Sequence, residues 1–480
     1  MRPLESLLLL ANLLAFFAVV VPLPDARRWT RRFAATALLI APAQWLVEGP
    51  RWQMAPAYLL AGLFFLWLWP HRPSPARPPS STWTKGLAVG VATALGALVL
   101  AVSIALPIAV PVFRFPNPSG PYEIGTLTYH WVDSGRREFF NADPNARREL
   151  MVQLWYPAKP NPSARRAPYV PDARVLAPLA GLLRLPAFIF GHLSYVTTNA
   201  VESAPIANGE PSYPVLIFSP GRSGFRQHNT LQVEALVSHG YIVAAIDHPY
   251  AASGVVFPDG RLVPLDARML DRGFINGVIP YLAHDAVFTL DQLTALNRAD
   301  PNGILTGRMD LRRVGMFGLS LGGAVTAETC RLESRVRACL VMDVFMPADV
   351  VLTGLQQPTM GITRDAVTMQ LEGWSKQDID ETLTTMRAVF ESLPGDGYFL
   401  RVPGMFHQDF ADAALLSPLT SWAGLTGPIN GQRAHDIVSA YSLAFFDRHL
   451  KGRPAALLDG PSKQYPEVLF ETRRGWRTGG

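Results

Sequence analysis

The stretch Val314-Gly315-Met316-Phe317-Gly318-Leu319-Ser320-Leu321-Gly322-Gly323 ends an apolar run on a serine flanked by glycines. A strand that turns sharply into a helix holds such a serine at its tip with the hydroxyl exposed, and Gly318 and Gly322 leave the space the turn needs. Ser320 is therefore the candidate nucleophile. G-x-S-x-G also occurs as a plain glycine-rich turn, so chemistry requires partners. Two lie further along the chain. Val336 to Met342 is an apolar, β-rich run that ends at Asp343, which places a carboxylate at the C-terminal end of a strand. Gly397 to Val402 predicts another strand that runs into Pro403-Gly404-Met405-Phe406-His407, so His407 lies in a loop at the same sheet edge. A hydroxyl activated by an imidazole that a carboxylate orients is the chemistry of acyl transfer.

The order Ser, Asp, His is that of the α/β-hydrolase triad and differs from the orders of the chymotrypsin and subtilisin folds. Asp343 has one rival. Pro358 to Ile362 predicts the next strand, so Asp365 occupies the acid position of many α/β-hydrolases. His228, His239, His248, His284, His435 and His449 are read as solvated or packing residues. Val215 to Ser219 predicts a buried strand, followed by Pro220-Gly221-Arg222-Ser223-Gly224, a loop with enough glycine to aim an N–H at a developing oxyanion. H-E-x-x-H, C-x-x-C, a Walker A loop and G-x-G-x-x-G are all absent, and neither a metal nor a cofactor is expected.

The segments GLSLGG, MDVFMP and GMFHQDF, preceded by PVLIFSPGRSGFRQ and SHGYIVAAIDHP, resemble the plasma-type platelet-activating factor acetylhydrolases (isoform II) and related dienelactone-hydrolase-like esterases. The resemblance covers about Thr126 to Leu450. It implies Ser320 as nucleophile, Asp343 as the acid, His407 as general base, and the backbone N–H groups of Leu321 and Arg222 as the oxyanion hole. It also implies calcium-independent cleavage of short acyl esters. Where that family often has His-Gly after the first core strand, this chain has Pro220-Gly221.

These residues must be positioned by alternating strands and helices. The chain supplies Val215 to Ser219, a helix at Gln232 to His239, a strand at Tyr241 to Ile246, a helix at about His284 to Asn297, and then the elbow. That alternation predicts an α/β-hydrolase fold, a mostly parallel sheet with helices on both faces and ligands at the strands' C-terminal ends. Gly125 to His130 and Glu149 to Tyr156 predict an antiparallel hairpin ahead of it. Val175 to Phe190, within an apolar segment at about 170–206, is expected to form one or two helices serving as a cap or membrane-facing lip. Cys330 and Cys339 lie close in sequence, on the elbow helix and the following strand, and are read either as a disulfide or as two buried thiols.

The N-terminal region differs in kind. Of 480 residues, 49% are hydrophobic and 17% charged, with a mean hydropathy of +0.15, too apolar for an ordinary soluble enzyme. The excess lies in four runs, Leu4 to Pro24, Phe33 to Val47, Met54 to Trp69 and Gly86 to Phe113. The first and last exceed the roughly 20 residues a spanning helix needs; the middle two are shorter and are read as spans or as a re-entrant pair. A cleaved signal peptide is disfavoured for the first run, whose apolar part is too long. Residues 1–114 are thus expected to form a bundle of about four transmembrane helices and 115–480 the catalytic domain. Arg27, Arg28, Arg31 and Arg32, and then the linker from His71 to Thr84 with Lys85 after it, mark cytoplasmic loops by the positive-inside rule. The catalytic domain then faces the periplasm or exterior of a bacterial inner membrane. The net charge of +5 resides largely in those loops, and no basic, aromatic-interleaved stripe suggests nucleic acid. The expected function is a membrane-anchored serine carboxylic ester hydrolase acting on short-chain or oxidised acyl esters of lipids. The alternatives are an acyltransferase using the same triad and an inactive hydrolase-fold binding module.

Overall fold

The computed structural model describes residues 1–21, 25–68, 82–161 and 163–474. The linker expected from His71 falls, up to 81, outside these residues, as does Trp69. The chain divides into two compact units, Met1–Phe113 with Leu416–Leu419, and Arg114–Leu415 with Thr420–Gly480.

The first unit holds helices Pro3–Val20, Ala26–Val47, Ala55–Leu68 and Thr82–Ala109. Among the described residues, two stretches, Pro3–Val20 and Gly86–Ala109, are long and apolar enough to cross a membrane. The expectation of four spans is therefore corrected to two such helices. The arginines Arg27 to Arg32 lie inside the second helix rather than in a loop, which shortens its apolar part to Phe33 onward. The third has 14 residues, about 21 Å at 1.5 Å per residue, against the roughly 30 Å of a bilayer core. Alanines pack the interior of this unit, among them Ala11, Ala15, Ala34, Ala37, Ala57 and Ala61, because small side chains let helices approach closely. Several of its buried polar side chains are hydrogen-bonded inside the unit. Arg51 Nε and Nη2 donate to Glu5 at 2.6 and 2.7 Å, and Asn12 Nδ2 donates to Ala57 O at 2.9 Å.

In the second unit the strands are β1 (Glu123–Arg137), β2 (Arg147–Ala158), β3 (Arg166–Pro168), β4 (Thr197–Glu202), β5 (Tyr213–Ser219), β6 (Ile242–Asp247), β7 (Gly254–Val256), β8 (Leu262–Pro264), β9 (Met309–Leu319), β10 (Val336–Met342), β11 (Thr359–Thr363), β12 (Gly397–Arg401) and β13 (Leu469–Arg473). All but β7 and β8 form one sheet in the order β13-β12-β11-β10-β9-β5-β6-β2-β1-β4-β3. From β12 to β6 every pair is parallel. At the flanks β13 pairs antiparallel with β12 and β2 antiparallel with both β6 and β1, while β1 pairs parallel with β4.

Strands β5 and β6 are buried at every position, as strands covered on both faces must be. Side chains alternate between two cores. Val215, Ile217 and Met316 join the helices Arg272–Arg298 and Leu321–Leu332 on one face. Leu216, Phe218 and Phe317 join Thr230–Ser238 and Gly431–Lys451 on the other. The helix expected at His284 begins at Arg272. Gly277 and Pro280 hide its first turns in the sequence, while Asp271 caps it by accepting from Phe274 N. The segment 170–206 forms short helical turns, Ala173–Leu176, Ala177–Leu182 and Ala187–Tyr195, and then β4, which joins the sheet beside β1.

Candidate active site

Strand β9 delivers Ser320 to the sheet's C-terminal edge with φ +56° and ψ −127°, a conformation that costs a non-glycine residue on the order of 1–3 kcal/mol. The surrounding structure imposes it. Ser320 N donates to Met342 O at 2.9 Å, and Ser320 O accepts from Gly323 N and Ala324 N at 2.8 and 3.1 Å. A Cβ on Gly318 would sit 2.1 Å from Gly322 O, and one on Gly322 would sit 1.9 Å from Ser219 O. Both glycines are required by this close approach of the helix to β9 and β5. Leu321 opens the helix Leu321–Leu332, where an N–H has no intrahelical acceptor.

The oxyanion-loop candidates follow β5 directly. A Cβ on Gly221 would lie 3.2 Å from Ser320 Cβ, so this loop passes against the candidate serine. Arg222 is exposed, and its Nη1 donates to Met269 O at 3.1 Å.

Asp343 follows β10 in a left-handed conformation, φ +47°, and its carboxylate is fully enclosed. Oδ1 accepts from Thr363 Oγ1 at 2.7 Å and Arg364 Nε at 3.0 Å. Oδ2 lies 2.5 Å from His407 Nδ1 and 2.9 Å from Arg364 Nη2. Burial pushes its pKa up, but the Arg364 guanidinium and the imidazole outweigh burial and hold it well below the usual carboxylate range. The carboxylate is thus charged at neutral pH and accepts the hydrogen bond of His407 Nδ1–H, leaving Nε2 of the neutral ring able to accept a proton. Asp365, the rival acid, instead caps the helix Ala366–Leu371, accepting from Thr368 N at 3.1 Å.

Ser320, Leu321, Arg222 and Asp343 line one open cavity of about 560 Å³ together with Phe345 and Trp374. Trp374 also packs against the His407 ring at 5.6 Å and lies 4.2 Å from the Arg364 guanidinium. The segment 170–206 contributes none of this lining.

Three residues here were not singled out in the sequence. Arg364 pairs with both Asp343 and Glu372, and Glu372 accepts the His407 N–H at 3.2 Å. Trp374 completes the group. The one available signal was an arginine directly after a strand beside the flagged Asp365. Cys330 and Cys339 are buried free thiols, and burial drives the Cys330 pKa upward.

The profile of the family "Platelet-activating factor acetylhydrolase, isoform II" matches residues 108–257 and 299–455. A probable 1-alkyl-2-acetylglycerophosphocholine esterase of Arthroderma benhamiae is 26% identical over 391 residues, 75% of this chain and 94% of that one. The platelet-activating factor acetylhydrolase of Gallus gallus is 23% identical over 383 residues, 70% of this chain and 84% of that one. Among solved structures, a ferulic acid esterase from Streptomyces cinnamoneus superposes with a TM-score of 0.61 at 32% identity, covering 75% of this chain and 99% of the other.

Proposed function

The chain belongs to the platelet-activating factor acetylhydrolase isoform II family and is an ester hydrolase, and on that premise we propose that it works through an acyl-enzyme on Ser320. Ser320 Oγ attacks the acyl carbonyl carbon while His407 Nε2 takes the hydroxyl proton. The Leu321 and Arg222 N–H groups receive the oxyanion. Collapse of the tetrahedral intermediate breaks the bond to the alcohol oxygen, which leaves with the proton from His407. Water then attacks the acyl-enzyme, giving its proton to the same nitrogen, and Ser320 regains a proton as the acid departs. The observation that carries this reading is the Asp343–His407 hydrogen bond beside a strained serine at the rim of one cavity.

The substrates in this reading are short-chain or oxidised acyl esters of phospholipids or similar lipids. The names of the relatives support that class, and a cavity of about 560 Å³ suits a short acyl group better than a long one. The first unit is read as a membrane anchor. Its polar residues Glu5, Asn12, Gln44 and Arg51 are buried while Leu39, Leu46, Val47 and Leu66 are exposed, the arrangement expected where lipid rather than water surrounds the helices. With Pro3–Val20 and Gly86–Ala109 as the two crossings, the arginine-rich stretch between them is cytoplasmic and the catalytic unit stands on the outer face. Leu182, Leu183, Leu185 and Phe188, exposed on one short segment, form an apolar lip suited to a bilayer surface.

The full chain in proteoliposomes, in EDTA, is expected to cleave short sn-2 phosphatidylcholines faster than long ones, and the Ser320→Ala variant neither. Equal rates on both chain lengths sink the short-acyl class. Turnover of methyl ferulate without phospholipid turnover moves the substrate to aromatic acids. Alkaline phosphatase fused after Gly480 is expected to be active, and a silent fusion overturns the orientation.

A further inference from the structure

A second Ser–His–Asp chain lies beneath the oxyanion loop. Ser219, the last residue of β5, has its Oγ 2.9 Å from His248 Nε2, and His248 Nδ1 lies 2.8 Å from Asp285 Oδ2. All three side chains are buried. Asp285 also accepts from Arg148 Nε and Nη2 at 3.0 and 2.6 Å and from Arg136 Nη2 at 2.8 Å. Burial raises the Asp285 pKa, and Arg148 with His248 overrides that and holds it far below the carboxylate range. With Asp285 charged, His248 Nδ1–H donates to it, and in the neutral imidazole Nε2 accepts from the Ser219 hydroxyl.

The chain ends on backbone that the proposed reaction uses. Ser219 precedes Pro220-Gly221-Arg222, and its carbonyl is the atom a Cβ on Gly322 would strike. The segment after His248 brackets the same loop. Ser223 N donates to Ala251 O at 2.9 Å, Ser253 N to Gly224 O at 2.9 Å, and Ala251 N and Ala252 N to His248 O at 3.0 and 2.8 Å. Both loops carry a non-glycine residue in the left-handed region, Ser223 at φ +60° and Tyr250 at φ +70°, so each holds its shape through these contacts.

We propose that Ser219 and His248 are positioning residues for the oxyanion hole: the buried Ser219–His248–Asp285 chain fixes the register of residues 220–224, and with it the direction of the Arg222 N–H. The proposal rests on the reading of Ser320 as nucleophile and Arg222 N–H as an oxyanion donor. Losing one oxyanion donor outright costs about 10²–10³ in kcat. A donor that is misdirected but present should cost less.

The test is a double-mutant cycle of Ser219→Ala and His248→Gln in the full chain, assayed on p-nitrophenyl acetate and with a trifluoromethyl ketone, whose hydrate mimics the oxyanion. Each single variant is expected to lower kcat about 10- to 100-fold with KM within threefold, and to weaken the ketone by the same factor as kcat/KM. The double variant should lose no more than the worse single, because the two act as one unit. Thermal unfolding identifies a variant that has not folded, and the other single variant then decides. A folded variant with kcat within twofold of wild type overturns the proposal, as does a fall in kcat with unchanged ketone affinity. Ser320→Ala in parallel separates the two readings. Activity surviving there refutes the nucleophile, whereas an inert Ser320→Ala beside an unimpaired Ser219→Ala refutes only the positioning role.

Discussion

Two constellations of the same three residue types occur in the catalytic unit, Ser320–His407–Asp343 and Ser219–His248–Asp285, and they differ in three physical respects. Ser320 sits at φ +56° at the rim of a cavity, whereas Ser219 ends a regular strand with no exposure. Asp343 meets one guanidinium, Arg364. Asp285 meets two, Arg136 and Arg148. Finally, the Ser219 hydroxyl is already hydrogen-bonded to its imidazole inside the core, where no acyl group reaches it. Hydrogen-bonded Ser, His and Asp are therefore compatible with structure as readily as with chemistry. What separates the two is the strained, accessible backbone under the serine.

The largest expected effect sharpens that contrast. Ser320→Ala or His407→Ala should lower kcat by about 10⁴-fold or more, since each removes a member of a cooperating unit, while Ser219→Ala should keep at least a hundredth of the activity. Steady-state assays and labelling by a fluorophosphonate probe check both. Labelling of the Ser320→Ala protein at Ser219 would erase the distinction.

The two aspartates should fail in different ways. Asp343→Asn is expected to cost on the order of 10⁴ in kcat by presenting the wrong imidazole tautomer, with Asp365→Asn mild. Asp285→Asn should instead act on folding. It leaves the buried Arg148 guanidinium and the partly exposed Arg136 guanidinium short of a counter-charge, and breaking a buried pair costs about 3–5 kcal/mol. Urea unfolding beside kinetics distinguishes them, and a stable Asp285→Asn enzyme with only its kcat destroyed would reverse the assignment. Between these lies Arg364→Met. It takes the guanidinium from Asp343 and Glu372 together and loosens the segment that takes the His407 backbone N–H, so kcat should fall by about tenfold, well short of the loss from Asp343→Asn, since His407 keeps its aspartate. A loss as large as that of Asp343→Asn would make the guanidinium as necessary as the carboxylate.

The sequence disclosed one constellation and concealed the other for the same reason. A sharp strand-to-helix turn leaves a local signature, Gly318 and Gly322 around Ser320, and the strand-end positions of Asp343 and His407 follow from short apolar runs. The pairing of Ser219 with His248 and Asp285 joins a strand end, a loop and the middle of a helix, and nothing within any one segment announces it. Arg364 and Glu372 were hidden likewise, since their partners are set by tertiary packing. The sheet was legible because β5, β6 and the C-terminal stretches of β9 and β10 are buried and read as apolar runs. The N-terminal helices were misjudged where hydropathy runs were counted as spans. Helix Ala26–Val47 begins before its apolar part, and Ala55–Leu68 ends too soon.

The smallest effect uses a histidine outside both constellations as their control. His407 and His248 each lean on an aspartate. His435, in the helix Gly431–Lys451, is buried with no hydrogen-bond partner on Nε2, and burial lowers its pKa to about 4. The folded state therefore keeps His435 neutral while the unfolded chain takes up a proton near pH 6.5. Stability from this group is intact above that pH, declines as pH falls from about 6.5 towards 4, and is level below, where both states bind the proton. A His435→Met variant lacks this loss. Its stability relative to wild type should rise on acidification through that window, by at most about 3 kcal/mol, whatever constant cost the substitution carries. Urea unfolding of both proteins at pH 4, 5, 6 and 7 measures the difference directly, and other titrating groups cancel in it. A difference that stays flat across the window would mean that His435 gains a proton in the fold as easily as in the unfolded chain. An aspartate partner would then be unnecessary for a charged imidazole in this core, which would weaken the case that Asp285 and Asp343 set the state of their histidines.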